Sequence, residues 1–153
     1  IKGHALELRV YAEDPLNDFL PSVGNLSTYI LPEGEGVRVD NGFEQGMDVP
    51  IYYDPMLSKL ITYGKDRNEA IQLMLKAIED YKIEGVSTTL PFGTFVFKHD
   101  AFVSGNFDTN FVKKYYSPEI IKESQAKEAE VAALVALKQY FADQKVLRVP
   151  TKL

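Results

Sequence analysis

Hydrophobic and polar positions alternate through the first dozen residues. In HALELRVY, Leu6, Leu8 and Val10 fall on one side and Ala5, Glu7, Arg9 and Tyr11 on the other, the period of a strand with one dry and one polar face. AEDPLNDFLPSVG then gathers Asp, Pro, Asn and Gly, the residues that set turns, and reads as a loop ordered by Phe19 and Leu20. Asn25 to Leu31 is the next expected strand. PEGEG reads as a hairpin turn with Val37 to Asp40 as the returning strand, and DNG as another turn. MLSKLITYG alternates again, with Leu57, Lys59, Ile61 and Tyr63 against Met56, Ser58, Leu60 and Thr62.

From Arg67 to Tyr81 the period changes: Ile71, Met74, Leu75 and Ile78 follow the spacing of a helix stripe, and Asp66 with Glu69 forms a capping-box-like start. EGVSTT returns as a short extended segment. Thr89 caps an expected second helix over LPFGTFVF, with Gly93 weighing against it, and FDTNFVKKYY reads as a short helix begun by Asp108 or Thr109. Ser117 and Pro118 suit the start of a long helix to about Asp143, whose apolar Val131, Leu134, Val135 and Leu137 are confined to its second half. Its Ala, Glu and Lys content marks a connector running towards VLRVP, which begins another unit or frays. The pattern as a whole predicts an α+β fold, an antiparallel sheet covered by helices.

Composition narrows the functional classes. The 153 residues, 45% hydrophobic and 25% charged, suffice for one packed domain of ordinary size. A net charge of -5 with scattered Lys and Arg argues against a broad nucleic-acid footprint, and no apolar run approaches membrane-spanning length. Any anion must be met locally. Without cysteine there is no disulfide framework or thiolate zinc site, which fits a reducing compartment, here expected to be the cytoplasm. The chain begins at Ile1 almost inside a strand and reads as a piece of something longer, so a preceding targeting segment stays open.

Most candidate chemistry has a plainer reading. His4 and His99 lack neighbours at metal-ligand spacing, so no metal site is expected. PEGEG lacks the lysine and following helix of a phosphate loop, and no serine sits in a nucleophile elbow. The aromatics of YYDP and KKYY suit base stacking or, preferably, core packing. Glu7 and Arg9 remain: a same-face pair that is either a surface ion pair of little worth or one wall of an anion pocket.

GHALELRVYAEDP resembles the start of the C-terminal domain of biotin carboxylase, the ATP-dependent component shared by acetyl-CoA, propionyl-CoA and pyruvate carboxylases. FLPSVG, YYDPM with KLITYG, GKDRNEAI, EGVSTTLPF and FDTNF follow in the family's order and at about its spacing, so the resemblance covers residues 3 to about 114. It implies a domain over residues 1–116. The tail 117–153 resembles a linker that some members place before a further domain.

The resemblance implies a ligase, the biotin carboxylase component of an acyl-CoA carboxylase to judge by the linker-like tail and FDTNF, that carboxylates biotin with ATP and bicarbonate by way of carboxyphosphate. Arg9 falls at the family's arginine that stabilises negative charge on the ureido oxygen, a role a permanently charged planar fork suits. Glu7 would orient that fork. Asp54 would buttress it, or else serve a strand-end turn. Phe111 falls where the family rests an apolar side chain on adenine, with core packing the equal alternative. Biotin would arrive on another domain or protein, and ATP with Mg2+ would be held mainly by an ATP-grasp region outside this sequence. Implied partners are that region, a biotin carboxyl carrier domain and a carboxyltransferase subunit, with neither nucleic acid nor membrane. The isolated chain is expected to be inactive. Glu35 stands where the family often has an aromatic of a homodimer interface, which puts that dimer in doubt, and Leu8 stands where it often has Cys. The competing classes are a non-enzymatic α+β interaction module whose tail helix docks a partner, and the equivalent domain of pyruvate or urea carboxylase.

Overall fold

Leu6, Leu8 and Val10 turn inward while Ala5, Glu7 and Arg9 stay exposed, as their alternation requires, in a computed structural model that describes residues 2–50, 52 and 54–144. Along the chain the strands are β1 (His4–Tyr11), β2 (Glu13–Asp14), β3 (Leu20–Pro21), β4 (Gly24–Asn25), β5 (Thr28–Ile30), β6 (Val37–Asn41), β7 (Asp48–Val49), β8 (Met56–Gly64) and β9 (Lys82–Glu84). The helices are α1 (Arg67–Asp80), α2 (Leu90–Lys98), α3 (Asp100–Val103), α4 (Phe111–Tyr115) and α5 (Pro118–Gln144). The main sheet is antiparallel in the order β1-β8-β6, with small two-stranded ladders β2-β3, β4-β7 and β5-β9 beside it.

Helix α1 lies on the inner face of this sheet. Ile71, Met74 and Ile78 bury the stripe that their spacing marks, against Val10, Leu57 and Leu60. Asp66 caps the helix through a 2.9 Å bond from the Glu69 amide, and Glu69 reaches back to the Lys65 amide, so two free donors of the first turn are satisfied. Thr62 is wholly buried and donates to the Ala70 carbonyl at 2.9 Å, which removes the cost of an unpaired hydroxyl in the core.

Several expectations fail for identifiable reasons. PEGEG turns the chain, but not into a hairpin: β5 pairs with β9, and β6 pairs with β8. Gly36 explains part of this. Its φ of +76° and lack of a Cβ, which would sit 2.5 Å from the Tyr63 carbonyl, let the chain press onto β8, where the Tyr63 amide donates to the Gly36 carbonyl. Tyr29 explains the rest, because its hydroxyl accepts from Tyr81 at the end of α1 and so holds β5 beside β9. The expected strand from Asn25 to Leu31 is split, since β4 and β5 join different partners. Leu57 shares no face with Lys59: the register passes from Val10↔Ser58 to Tyr11↔Met56, and the skipped Leu57 is buried at 1% exposure. Phe19 orders the first loop by packing on Phe92 and Tyr116, whereas Leu20 points outward. The extended segment expected at EGVSTT lies earlier, at Lys82–Glu84.

Helix α2 forms despite Gly93, and α3 is a short helix the periodicity did not mark; the His99 ring nitrogen caps it by accepting from Ala101. Phe92, Phe95, His99, Phe111, Tyr115 and Tyr116 of the α2–α4 region form one aromatic cluster, so the KKYY aromatics pack as expected. Tyr52 of YYDP does not pack and is 83% exposed. Compact units divide the chain after Pro118. Within the second, α5 is exposed at every described position from 122 to 143, including Val131, Leu134, Val135 and Leu137. VLRVP lies outside the described residues.

Candidate functional site

The outer face of the main sheet carries two rows of charged side chains. β1 and β6 both pair with the central β8, so Glu7, Ile61 and Arg38 form one row across the three strands, and Arg9, Lys59 and Asp40 form the next. Along each outer strand, charges of opposite sign stand two residues apart. Arg9 Nε lies 3.4 Å from Glu7 Oε1, and Arg38 Nε lies 3.1 Å from Asp40 Oδ1. The polarity is reversed between the two strands, which places each carboxylate in the row of the other pair's guanidinium.

Arg9 therefore stands on an open face. Its side chain is 60% exposed, so the enclosed pocket suggested by Glu7 and Arg9 is, within this chain, an uncovered wall. Tyr11 and, after it, the Glu7 carboxylate raise the pKa of a guanidinium that is charged at any ordinary pH. The neighbour that orients it is Glu7, on the same strand face. Across β8, a shallow cleft of about 330 Å³ opens between residues 40–42 and 56–59, with Lys59 and Asp40 in its lining.

The other candidates are placed elsewhere. Asp54 Oδ1 accepts from the Met56 amide at 3.0 Å, the strand-end turn, and among the described residues it makes no bond to Arg9. Its charge instead faces Glu13, whose carboxyl is pushed up by burial first and by Asp54 second. Phe111 is buried at 7% exposure, with its ring edge-on to His99 and tilted against Phe95 and Tyr115. In this chain it packs in the aromatic cluster. Among the described residues, no group of three His, Asp or Glu could hold a metal ion, and no helix is long and apolar enough to cross a membrane.

Two residues beside Arg9 were not marked as site residues by the sequence. Lys59 lies directly opposite Arg9, a relation that only the register reveals. Thr89 looked like a helix cap but makes no side-chain capping bond; its hydroxyl is instead directed to the backbone of β1.

Residues 7–114 match the family described as the biotin carboxylase C-terminal domain. The chain is 46% identical over 114 residues to biotin carboxylase 1 of Bacillus subtilis (strain 168), covering 74% of this chain and 25% of that protein. It is 45% identical over 139 residues to the mitochondrial propionyl-CoA carboxylase alpha chain of Homo sapiens, covering 90% of this chain and 19% of that one. Its fold superposes with a TM-score of 0.72 and 38% identity on a biotin carboxylase from Campylobacter jejuni in a β,γ-ATP complex, over 75% of this chain and 26% of the other. The chain spans about a quarter or less of the length of these relatives.

Proposed function

Because the chain belongs to the biotin carboxylase C-terminal domain family, we propose that it supplies one wall of the site where an ATP-dependent ligase carboxylates biotin. In this reading residues 1–116 are the domain and 117–153 a linker to further polypeptide. The observation that carries it is Arg9: a guanidinium bonded to Glu7 on an open sheet face.

The chemistry asks for such a group. Bound biotin supplies the ureido ring that accepts the carboxyl group, and negative charge gathers on the ring oxygen as it does so. A fixed cation stabilises that charge most strongly once water is excluded. On the open face Arg9 is exposed to water, so covering it would turn a weakly acting surface cation into a strong one. Glu7 keeps the guanidinium plane aligned along β1. The orienting partner is Glu7 rather than Asp54, since only Glu7 is bonded to Arg9. Phe111, 7% exposed among His99, Phe95 and Tyr115, serves in this reading as core packing rather than as an adenine contact.

ATP, bicarbonate and Mg2+ would be bound mainly by the polypeptide that completes the site, as would biotin on its carrier, with a carboxyltransferase as the next partner. An acyl-CoA carboxylase is the preferred whole enzyme. The similarity to the human propionyl-CoA carboxylase alpha chain is long enough to run through most of α5, whereas that to Bacillus biotin carboxylase 1 spans 114 residues. Absence of cysteine suits a reducing compartment, and we read the protein as cytoplasmic, while the human relative is by name mitochondrial.

The test is to assay bicarbonate-dependent ATP hydrolysis in the full-length enzyme and in residues 1–116 alone. Turnover in the former and none in the latter is expected. Turnover by the fragment would contradict a one-wall role.

A further inference from the structure

Thr89 is buried at 5% exposure at the start of α2, in the position of a helix cap, yet its hydroxyl makes no capping bond. It bonds the free edge of β1 instead. The Tyr11 amide donates to Thr89 Oγ1 at 3.1 Å, and Thr89 Oγ1 donates to the Arg9 carbonyl at 3.3 Å. The Thr89 amide completes the set by donating to the Tyr11 carbonyl at 3.1 Å. One residue thus takes three backbone groups of Arg9 and Tyr11.

The place where this happens is irregular. The β1–β8 register shifts between Val10 and Tyr11, where Leu57 is the extra residue on β8, so the ladder is interrupted just beyond the Val10 pair. The bulged strand is β8, and β1 runs opposite it as an edge strand, so a hold on the free edge of β1 at Arg9 and Tyr11 adds to what the interrupted ladder supplies. Helix α2 provides that hold. The Gly93 amide donates to the Thr89 carbonyl at 2.9 Å, so Thr89 is built into the helix's first turn. Gly93 itself lies so close to Leu8 that an added Cβ would come within 2.7 Å of Leu8 Cδ2. The helix therefore grips β1 from below at Leu8 and along its edge at Arg9 and Tyr11.

We infer that Thr89 is a positioning residue for Arg9: its hydroxyl fixes the free edge of β1 opposite the bulge so that the guanidinium meets the Glu7 carboxylate in one orientation. This rests on the reading of Arg9 given under Proposed function. Thr89 touches no reacting group and acts only through β1. Misplacement of a catalytic group by about 1 Å can cost up to about a hundredfold in rate, which sets the scale of the expected effect.

The test uses the full-length enzyme with free biotin as substrate, and compares Thr89→Val, Thr89→Ser, Arg9→Ala and the double variant Thr89→Val/Arg9→Ala. Valine keeps the shape and loses both hydroxyl bonds, whereas serine keeps the bonds. Expected is a fall in kcat of at least about tenfold for Thr89→Val with the KM for ATP unchanged, and recovery to within about threefold for Thr89→Ser. In the Arg9→Ala background Thr89→Val should add less than about a twofold further loss, because the group through which it acts is gone. Should Thr89→Val fail to fold, Thr89→Ala takes its place. Near-normal kcat for the valine or alanine variant, with Arg9→Ala strongly impaired, overturns this inference and leaves the role of Arg9 standing. So does a full Thr89→Val loss on top of Arg9→Ala. Near-normal turnover by Arg9→Ala overturns the reading of the site, and this inference with it.

Discussion

Arg9 and Lys59 stand directly opposite each other across β1 and β8, two cations in register on the outer face of the sheet. Like charges so placed repel, and the Asp40 carboxylate on the far side of Lys59 is engaged with Arg38. The arrangement is a local cost to folding. It also concentrates positive charge where the proposed site needs it.

Replacing Lys59 by methionine should therefore not destabilise the protein. At low ionic strength Tm should stay level or rise by about 1–3 °C, and the difference should fade towards about 1 M salt, where screening shortens to about 3 Å. Thermal unfolding across a salt series measures this. A clear loss of stability at low salt would mean that Asp40 attracts Lys59 more than Arg9 repels it.

Gly93 is required by the closeness of α2 to Leu8. Gly93→Ala combines the better helix propensity of alanine with a Cβ that crowds Leu8, so the two effects largely offset. Gly93→Val cannot be accommodated in the same way and should cost about 1–3 kcal/mol in denaturant unfolding. Trimming the neighbour should relieve it: Leu8→Ala is expected to cost less in the Gly93→Val background than alone. Simple additivity would show that the two side chains do not meet.

Buried hydroxyls run in a chain from Ser58 through Tyr81 and Tyr29 to Asn41. Tyr81→Phe breaks it in the middle and should cost about 1–3 kcal/mol at neutral pH. Burial pushes the Tyr81 phenol well above its ordinary value, and burial raises Tyr29 as well. A raised folded pKa means that the unfolded chain loses its proton first. The stabilisation is therefore complete below the ordinary tyrosine value of about 10 and is lost as pH rises above it. The gap in Tm between the wild type and Tyr81→Phe should thus narrow between about pH 10 and 11. A gap that widens there would contradict the sign.

What could be read from the sequence was local. The face of β1 that carries Arg9, the stripe and cap of α1 and the proline start of α5 each depend on residues a few positions apart, where alternation, 3.6-residue spacing and capping chemistry act. Partner choice was not legible. Nothing in PEGEG tells that β5 will meet β9, because that pairing depends on Tyr29 finding Tyr81, 52 residues away. The bulge that buries Leu57 hides in MLSKLITYG, which reads as one alternating strand, since only the register with β1 breaks the period. Thr89 shows the same limit at the site: beside Leu-Pro it has the features of a cap, and its bond to the Arg9 carbonyl spans 80 residues. Glu7 and Arg9, two positions apart, were within reach of pattern; Lys59 and Thr89 were not.

The most direct measurement replaces Arg9 in the full-length enzyme and follows bicarbonate-dependent carboxylation of free biotin, with Tm recorded on the same samples. Arg9→Ala should lower kcat by about 10²–10³ and leave Tm nearly unchanged, because the side chain is exposed and makes few packing contacts. Arg9→Lys should recover little of the loss, since an ammonium lacks the planar fork that Glu7 orients. Near-normal turnover by Arg9→Ala would show that the guanidinium on the open sheet face takes no part in the reaction.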